Sequence, residues 1–185
     1  MKKSYILETA HLLLSNLISK EDVVVDATMG NGHDTVYLAG LAQHVYAFDI
    51  QEKALYETQK KVNEQGLNNV SLFLDSHQHI FNHVNEFKGV IFNLGYLPNG
   101  NKEITTKSDV TLETLHLLIP HMKIHDFIML VIYIGHPQGF IESKAIEAYL
   151  KTLDNSTYKI LRVDMPYQNN QPPYINLITK IKDGS

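Results

Sequence analysis

Short apolar runs rich in β-branched residues recur along this chain, and each one breaks off at a polar residue before a turn or a helical stretch begins. Val23 Val24 Val25 ends at Asp26; the run from Val45 ends at Asp49, that from Val70 at Asp75, and that from Gly89 to Leu94 at Asn93 Leu94 Gly95. Runs of this length and composition are strands buried on both faces, as in a parallel sheet. Segments with helical spacing lie around and between them: residues 4–19 carry Ile6, Ala10, Leu13, Leu14, Leu17 and Ile18, and 51–65, 109–122 and 138–152 read likewise. Strands alternating with helices predict an α/β fold with a mostly parallel sheet covered by helices on both faces. The last two strand candidates, Tyr158 to Val163 and Tyr174 to Ile181, flank a loop too short for a helical crossover, so they should form a C-terminal antiparallel hairpin.

A length of 185 residues with 44% hydrophobic content fits a single domain over 1–185. Cysteine is absent, which excludes disulfides, thiolate nucleophiles and thiolate metal sites. No stretch has the roughly 20 apolar residues a membrane span requires, and the start of the chain is unlike a signal peptide; a cytoplasmic protein with no membrane partner is expected. The formal charge of −4 argues against bulk electrostatic binding of nucleic acid. That charge is uneven: residues 1–92 carry 7 basic and 11 acidic side chains, whereas residues 93–185 carry 9 of each.

Ligands of open α/β sheets bind beyond the carboxyl ends of the strands, so the residues that end each run carry the functional reading. After the first comes Asp26-Ala-Thr-Met-Gly30-Asn-Gly32, a turn that allows close backbone approach to a ligand. A dinucleotide fingerprint would need glycine at position 35, where Thr35 stands, which disfavours a nicotinamide-dependent oxidoreductase. Asp49 ends the second run, where a carboxylate can accept both hydroxyls of a ribose, and Asp75 ends the third, near where an adenine edge would lie. This order of residues resembles the class I S-adenosylmethionine-dependent methyltransferases, with a Rossmann-like fold. The resemblance implies S-adenosyl-L-methionine as cofactor, held by Asp26, Thr28, Gly30, Asn31, Gly32, Asp49, Ile50, Gln51, Asp75, Ser76, His77 and Asn93. Thr28 departs from the family, which has its first glycine there.

Asn93-Leu-Gly-Tyr96 resembles the Asp/Asn-Pro-Pro-Tyr motif of amino-group methyltransferases with both prolines replaced. The asparagine oxygen and the next backbone carbonyl can accept hydrogen bonds from an amine and aim its lone pair, and Tyr96 offers an aromatic face to a base. Together with Asp75-Ser-His77, Lys102, Thr105-Thr106 and Gly135-His-Pro137, these motifs resemble the MnmM (YtqB) family, also labelled rRNA methylases, along nearly the whole chain. That resemblance implies methylation of the aminomethyl group of 5-aminomethyl-2-thiouridine at the tRNA wobble position, giving the 5-methylaminomethyl form. Asn99-Gly-Asn101 departs from the Gly-Gly-Asp expected there.

On this reading Asn93, Tyr96 and His136 are the catalytic candidates, His136 as a base for an amine that arrives protonated. Lys102, Thr105, Thr106 and Lys107 suit phosphates, and Tyr167 in the hairpin loop could stack on an unpaired base. The expected partners are the tRNA anticodon region and a second copy of the chain, a homodimer that would widen the RNA surface. His77, His79 and His83 complete no known ligand spacing, and no metal is expected. The other readings are methylation of rRNA or another RNA, and a non-catalytic nucleoside or RNA binder on the same fold.

Overall fold

A computed structural model describes residues 4–95 and 108–184. Five helices and seven strands alternate within it: α1 (Tyr5–Leu17), β1 (Val23–Asp26), α2 (His33–Leu41), β2 (His44–Asp49), α3 (Glu52–Glu64), β3 (Val70–Leu74), β4 (Gly89–Leu94), α4 (Ser108–Leu118), β5 (Phe127–Ile132), α5 (Pro137–Leu150), β6 (Tyr158–Val163) and β7 (Tyr174–Lys180). Short 3-10 turns cover His77–Asn82 and Ile119–His121. The expected helix over 109–122 stops as an α-helix at Leu118, because Pro120 has no N–H to continue the ladder.

All seven strands join one sheet in the order β3-β2-β1-β4-β5-β7-β6. The pairs from β3 to β5 are parallel, while β7 runs antiparallel to both β5 and β6. The mostly parallel α/β sheet with a C-terminal antiparallel hairpin is therefore present as the sequence implies. Alternation along the strands divides the core between two faces. Val24, Val45, Met129 and Val131 pack with Ile6, Ala10 and Leu14 of α1 and Leu38 of α2. Their neighbours Val25, Phe48, Leu130 and Ile132 point the other way, onto Leu115 and Leu118 of α4 and Ile146 and Leu150 of α5. All six residues of β5 are buried, as a strand covered on both faces requires. Cutting Leu130 to alanine would cost about 2–5 kcal/mol at such a position.

The strand order reverses between β1 and β4, which pair side by side although two further strands separate them in sequence. Their carboxyl ends open a crevice where chains leave in opposite directions, the usual ligand position of this architecture. No helix of the described residues is long and apolar enough to cross a membrane.

Candidate functional site

The turn after β1 is built by two glycines in the left-handed region, Gly30 at φ 50 and Gly32 at φ 75. A Cβ on Gly32 would also lie 2.7 to 2.9 Å from atoms of Thr58 on α3, so both backbone and packing require glycine there. Thr28, where the resembled family has glycine, does not have positive φ. Its hydroxyl instead accepts the N–H of Asn93 at 2.7 Å and fastens the turn after β1 to β4. The position read as a missing glycine is thus a polar cross-link.

Asp49 ends β2, and both of its oxygens are partly engaged: Oδ2 accepts the N–H of Gly30 at 3.0 Å and Oδ1 that of Gln51 at 2.9 Å. A carboxylate has about four lone-pair sites, so the group keeps acceptor capacity beyond these backbone bonds. Ile50, next in sequence, is 56% exposed and offers an apolar surface beside it. Burial raises the Asp49 pKa, against the backbone N–H bonds that lower it. Asn31 is held at the same turn, its carbonyl accepting from the Lys61 ammonium at 2.5 Å.

Asp26 lies deeper, 1% exposed. Thr35 donates its hydroxyl to Asp26 Oδ2 at 2.6 Å, and Thr28 its N–H to Oδ1 at 3.2 Å. Thr35, which broke the dinucleotide pattern, serves here as a buried donor. Burial, and then the nearby charge of Asp34, push the Asp26 pKa up to about 7, outweighing the two hydrogen bonds.

Asp75 and its neighbours differ from their expectation in detail. The Asp75 N–H donates to Asp49 O at 3.0 Å, which continues the line of strand ends. Its carboxylate, however, is bonded by His79 Nδ1 at 2.6 Å and His83 Nε2 at 3.0 Å, and these two bonds lower its pKa. Ser76 caps the following 3-10 turn by accepting the Gln78 N–H. His77 is buried, its Nδ1 2.8 Å from the Thr114 hydroxyl and its ring edge-on to Phe92 at 5.3 Å; burial lowers its pKa to about 4. Those contacts hold the turn against α4.

On the acceptor side, Asn93 sits at the end of β4, one strand from Asp26. Its Nδ2 donates to Asp34 Oδ2 at 2.9 Å, and because a carboxylate only accepts, this bond fixes the amide with its carbonyl oxygen turned away from Asp34. The Leu94 carbonyl accepts the Tyr133 N–H at 3.3 Å and has a second lone pair to spare. Asp34 also bonds His11 Nε2 at 2.8 Å; desolvation would raise its pKa, but the His11 and Asn93 hydrogen bonds win and lower it. Tyr133 stands close by, its ring 3.1 Å from where a Cβ on Gly95 would be, with its pKa pushed up to about 12 by burial and then by Asp34. Sequence reasoning assigned no role to Asp34, His11 or Tyr133. An acid in the first turn of a helix is commonplace, and the 23 residues separating His11 from Asp34 match no local spacing.

His136 takes a different place from the one expected. It is the N-cap of α5, extended as a residue before proline must be, with Pro137 at the first helical position. Its Nδ1 accepts the Gly139 N–H at 2.9 Å, and burial lowers its pKa. The Gly139 N–H thus occupies the Nδ1 lone pair of the ring. The structure places His136 as a helix cap. Tyr167, in the loop between β6 and β7, is 95% exposed. Tyr96, Lys102, Thr105, Thr106 and Lys107 lie outside the described residues. The histidines weighed as metal ligands are used otherwise, and among the described residues no group of three His, Cys, Asp or Glu side chains could hold a metal ion.

Comparison with known proteins agrees with this geometry. Residues 45–179 match the model of the family described as "Putative rRNA methylase". The chain is 40% identical over 157 residues to an Arabidopsis thaliana protein named tRNA (mnm(5)s(2)U34)-methyltransferase, chloroplastic; the match takes in 77% of this chain but only 57% of the relative's length. A crystal structure of a "putative rRNA-methylase" from Clostridium thermocellum superposes with a TM-score of 0.91 at 35% identity, covering 98% of this chain and 100% of the other. A "putative methyltransferase" from Streptococcus mutans, solved in complex with SAH, gives 0.89 at 37% identity over 98% of this chain and all of its own. By family match, identity and near-complete structural coverage, this chain belongs to the rRNA methylase family of methyltransferases that its strand-end motifs resemble.

Proposed function

We propose that this chain is an S-adenosylmethionine-dependent tRNA methyltransferase that N-methylates the aminomethyl group of 5-aminomethyl-2-thiouridine at wobble position 34, giving the 5-methylaminomethyl nucleoside. The observation that carries the reading is Asn93: a carboxamide fixed by Asp34 with its acceptor oxygen turned away from that carboxylate, at the crevice between β1 and β4. The Arabidopsis relative bears the name of this product, and the SAH of the Streptococcus structure supports the cofactor.

The donor groups fit that cofactor. Gly30 and Gly32 open the turn, Asp49 ends β2 beside it as an acceptor suited to ribose hydroxyls, and the amino-acid ammonium would supply buried Asp26 with a cation. The cofactor supplies an electrophilic methyl on a sulfonium. The acceptor is an aliphatic amine with a pKa on the order of 10, which must lose a proton before its nitrogen can attack. Asn93 Oδ1 and the Leu94 carbonyl accept the N–H bonds of the neutral amine and leave its lone pair directed at the methyl carbon. Bound there, the cofactor would give its methyl to that nitrogen in exchange for its own C–S bond, whose electron pair would remain on sulfur, and the proton the amine sheds beforehand would pass to bulk water. The proposal extends to the tRNA anticodon region as partner and to a homodimer, which light scattering with and without tRNA would test.

The deciding experiment is nucleoside mass spectrometry of tRNA from cells lacking the gene. Accumulation of 5-aminomethyl-2-thiouridine, reversed by the purified protein with S-adenosylmethionine, is the expected result. A normal nucleoside profile would refute the proposal.

A further inference from the structure

We infer that Asp34 is a positioning residue for the methyl transfer: it locks the Asn93 carboxamide in the one orientation that turns a carbonyl oxygen to the acceptor amine, while His11 holds Asp34 from behind. The inference rests on the function proposed above and names what makes Asn93 select an amine.

A primary amide reversed end for end has nearly the same shape, so packing alone chooses weakly between its two orientations. The choice matters to the reaction. With oxygen forward, the side chain accepts the amine's N–H and leaves the nitrogen lone pair uncovered. With NH2 forward, it would donate to the same lone pair that has to attack carbon.

The structure supplies a group that permits only the first arrangement. Asp34 can only accept, and its two oxygens point at two different elements: Oδ1 at His11 of α1, 2.8 Å away, and Oδ2 at Nδ2 of Asn93, 2.9 Å away. The balance of its surroundings keeps it ionised, since its pKa is lowered despite desolvation. A carboxylate in the first turn of α2 suits the helix dipole in any case. That role needs neither contact, and the contacts reach across 23 and 59 residues of chain. His11 is fixed in turn. Its ring stacks on Tyr37 with centroids 3.8 Å apart and planes within 6°, and the Tyr37 hydroxyl donates to the His11 carbonyl at 2.7 Å. Three elements, α1, α2 and β4, thus converge on the direction of one amide.

The test is Asp34→Asn, alone and combined with Asn93→Asp. The single change keeps the shape but lets the neighbouring amide turn either way. Turnover should fall about 100-fold while KM for the RNA and affinity for the cofactor stay within about threefold, the pattern of a misaligned acceptor. In the swapped pair the carboxylate now at 93 can only accept and the amide now at 34 can donate to it, so at least about tenfold of the lost turnover should return. A purely structural role predicts no such rescue.

The amide proton resonances of Asn93 in the cofactor-free protein should also move when Asp34 is replaced. Wild-type turnover in Asp34→Asn, a swapped pair no better than that single variant, or unmoved Asn93 resonances would each overturn the inference. A wild-type protein that leaves the aminomethyl nucleoside untouched would refute the function proposed above, and the amide resonances would then decide the orientation alone.

Discussion

Asp26 and Asp34 stand on the floor and the wall of the same crevice, one at the end of β1 and one in the first turn of α2, yet their environments drive them in opposite directions. Asp26 receives two hydrogen bonds from neutral donors, is fully desolvated and feels the charge of Asp34, and its pKa climbs to about 7. Asp34 receives an imidazole and a carboxamide and is lowered. Both accept two bonds, so the number of bonds does not decide the outcome. What decides it is whether burial is complete and whether a group able to carry positive charge is within reach. The floor is left needing a cation, as a binding site for an ammonium would be, and the wall already has its partners and can act as a fixed reference for Asn93.

The largest separation between the two should appear in cofactor binding. Asp26→Asn should weaken S-adenosylmethionine about 100-fold by calorimetry, the loss of a charge-assisted contact, whereas Asp34→Asn should change it by no more than about threefold. Equal losses would break the contrast. Stability should separate them by sign. The folded Asp26 holds its proton up to about pH 7 while the unfolded side chain gives it up near 3.8, so stability falls as pH rises between those values and is flat above. Asp26→Asn should therefore remove that decline and stabilise the protein at pH 8 by roughly 2 kcal/mol, read from denaturant curves at pH 5 and 8.

Asp34 carries the opposite linkage. Its folded pKa lies below 3.8, so its contribution is present above that pH and disappears only as the pH falls through the folded value. Asp34→Asn should destabilise by about 1.5 kcal/mol at pH 8, with the difference closing in acid. A stabilising effect at pH 8 would show that Asp34 resembles Asp26 after all. The smallest effect belongs to His11→Leu, which leaves Asp34 one donor short at a partly exposed pair and should cost about 0.5 to 1 kcal/mol in the same curves.

The architecture was legible because it depends on local pattern: β-branched runs for strands, helical spacing between them, and a loop too short for a crossover before the last strand. The strand-end residues Asp26, Asp49 and Asn93 were legible for the same reason, since each ends a run that can be recognised alone. The Asp34–Asn93 bond was not, because it spans 59 residues and depends on how the first turn of α2 meets β4. Thr28 and Thr35 looked like departures from glycine patterns; their hydroxyls matter only after the fold brings Asn93 and Asp26 within reach. The capping role of His136 was readable from the proline that follows it, which marks a helix start. The bonds from His79 and His83 to Asp75 depend on a 3-10 turn whose tighter pitch no spacing rule for α-helices describes.

The place of β7 bears on how the chain assembles. Among the described residues it is the sole strand paired with β6, and it covers the outer edge of β5; its register joins Phe127 to Thr179 and Tyr158 to Lys180. Until residues 174–180 insert, the most apolar strand of the sheet keeps one row of bare N–H and C=O groups, and β6 has no sheet to join. In the finished fold β7 therefore closes a row of N–H and C=O groups that β5 would otherwise present as an open, adhesive edge.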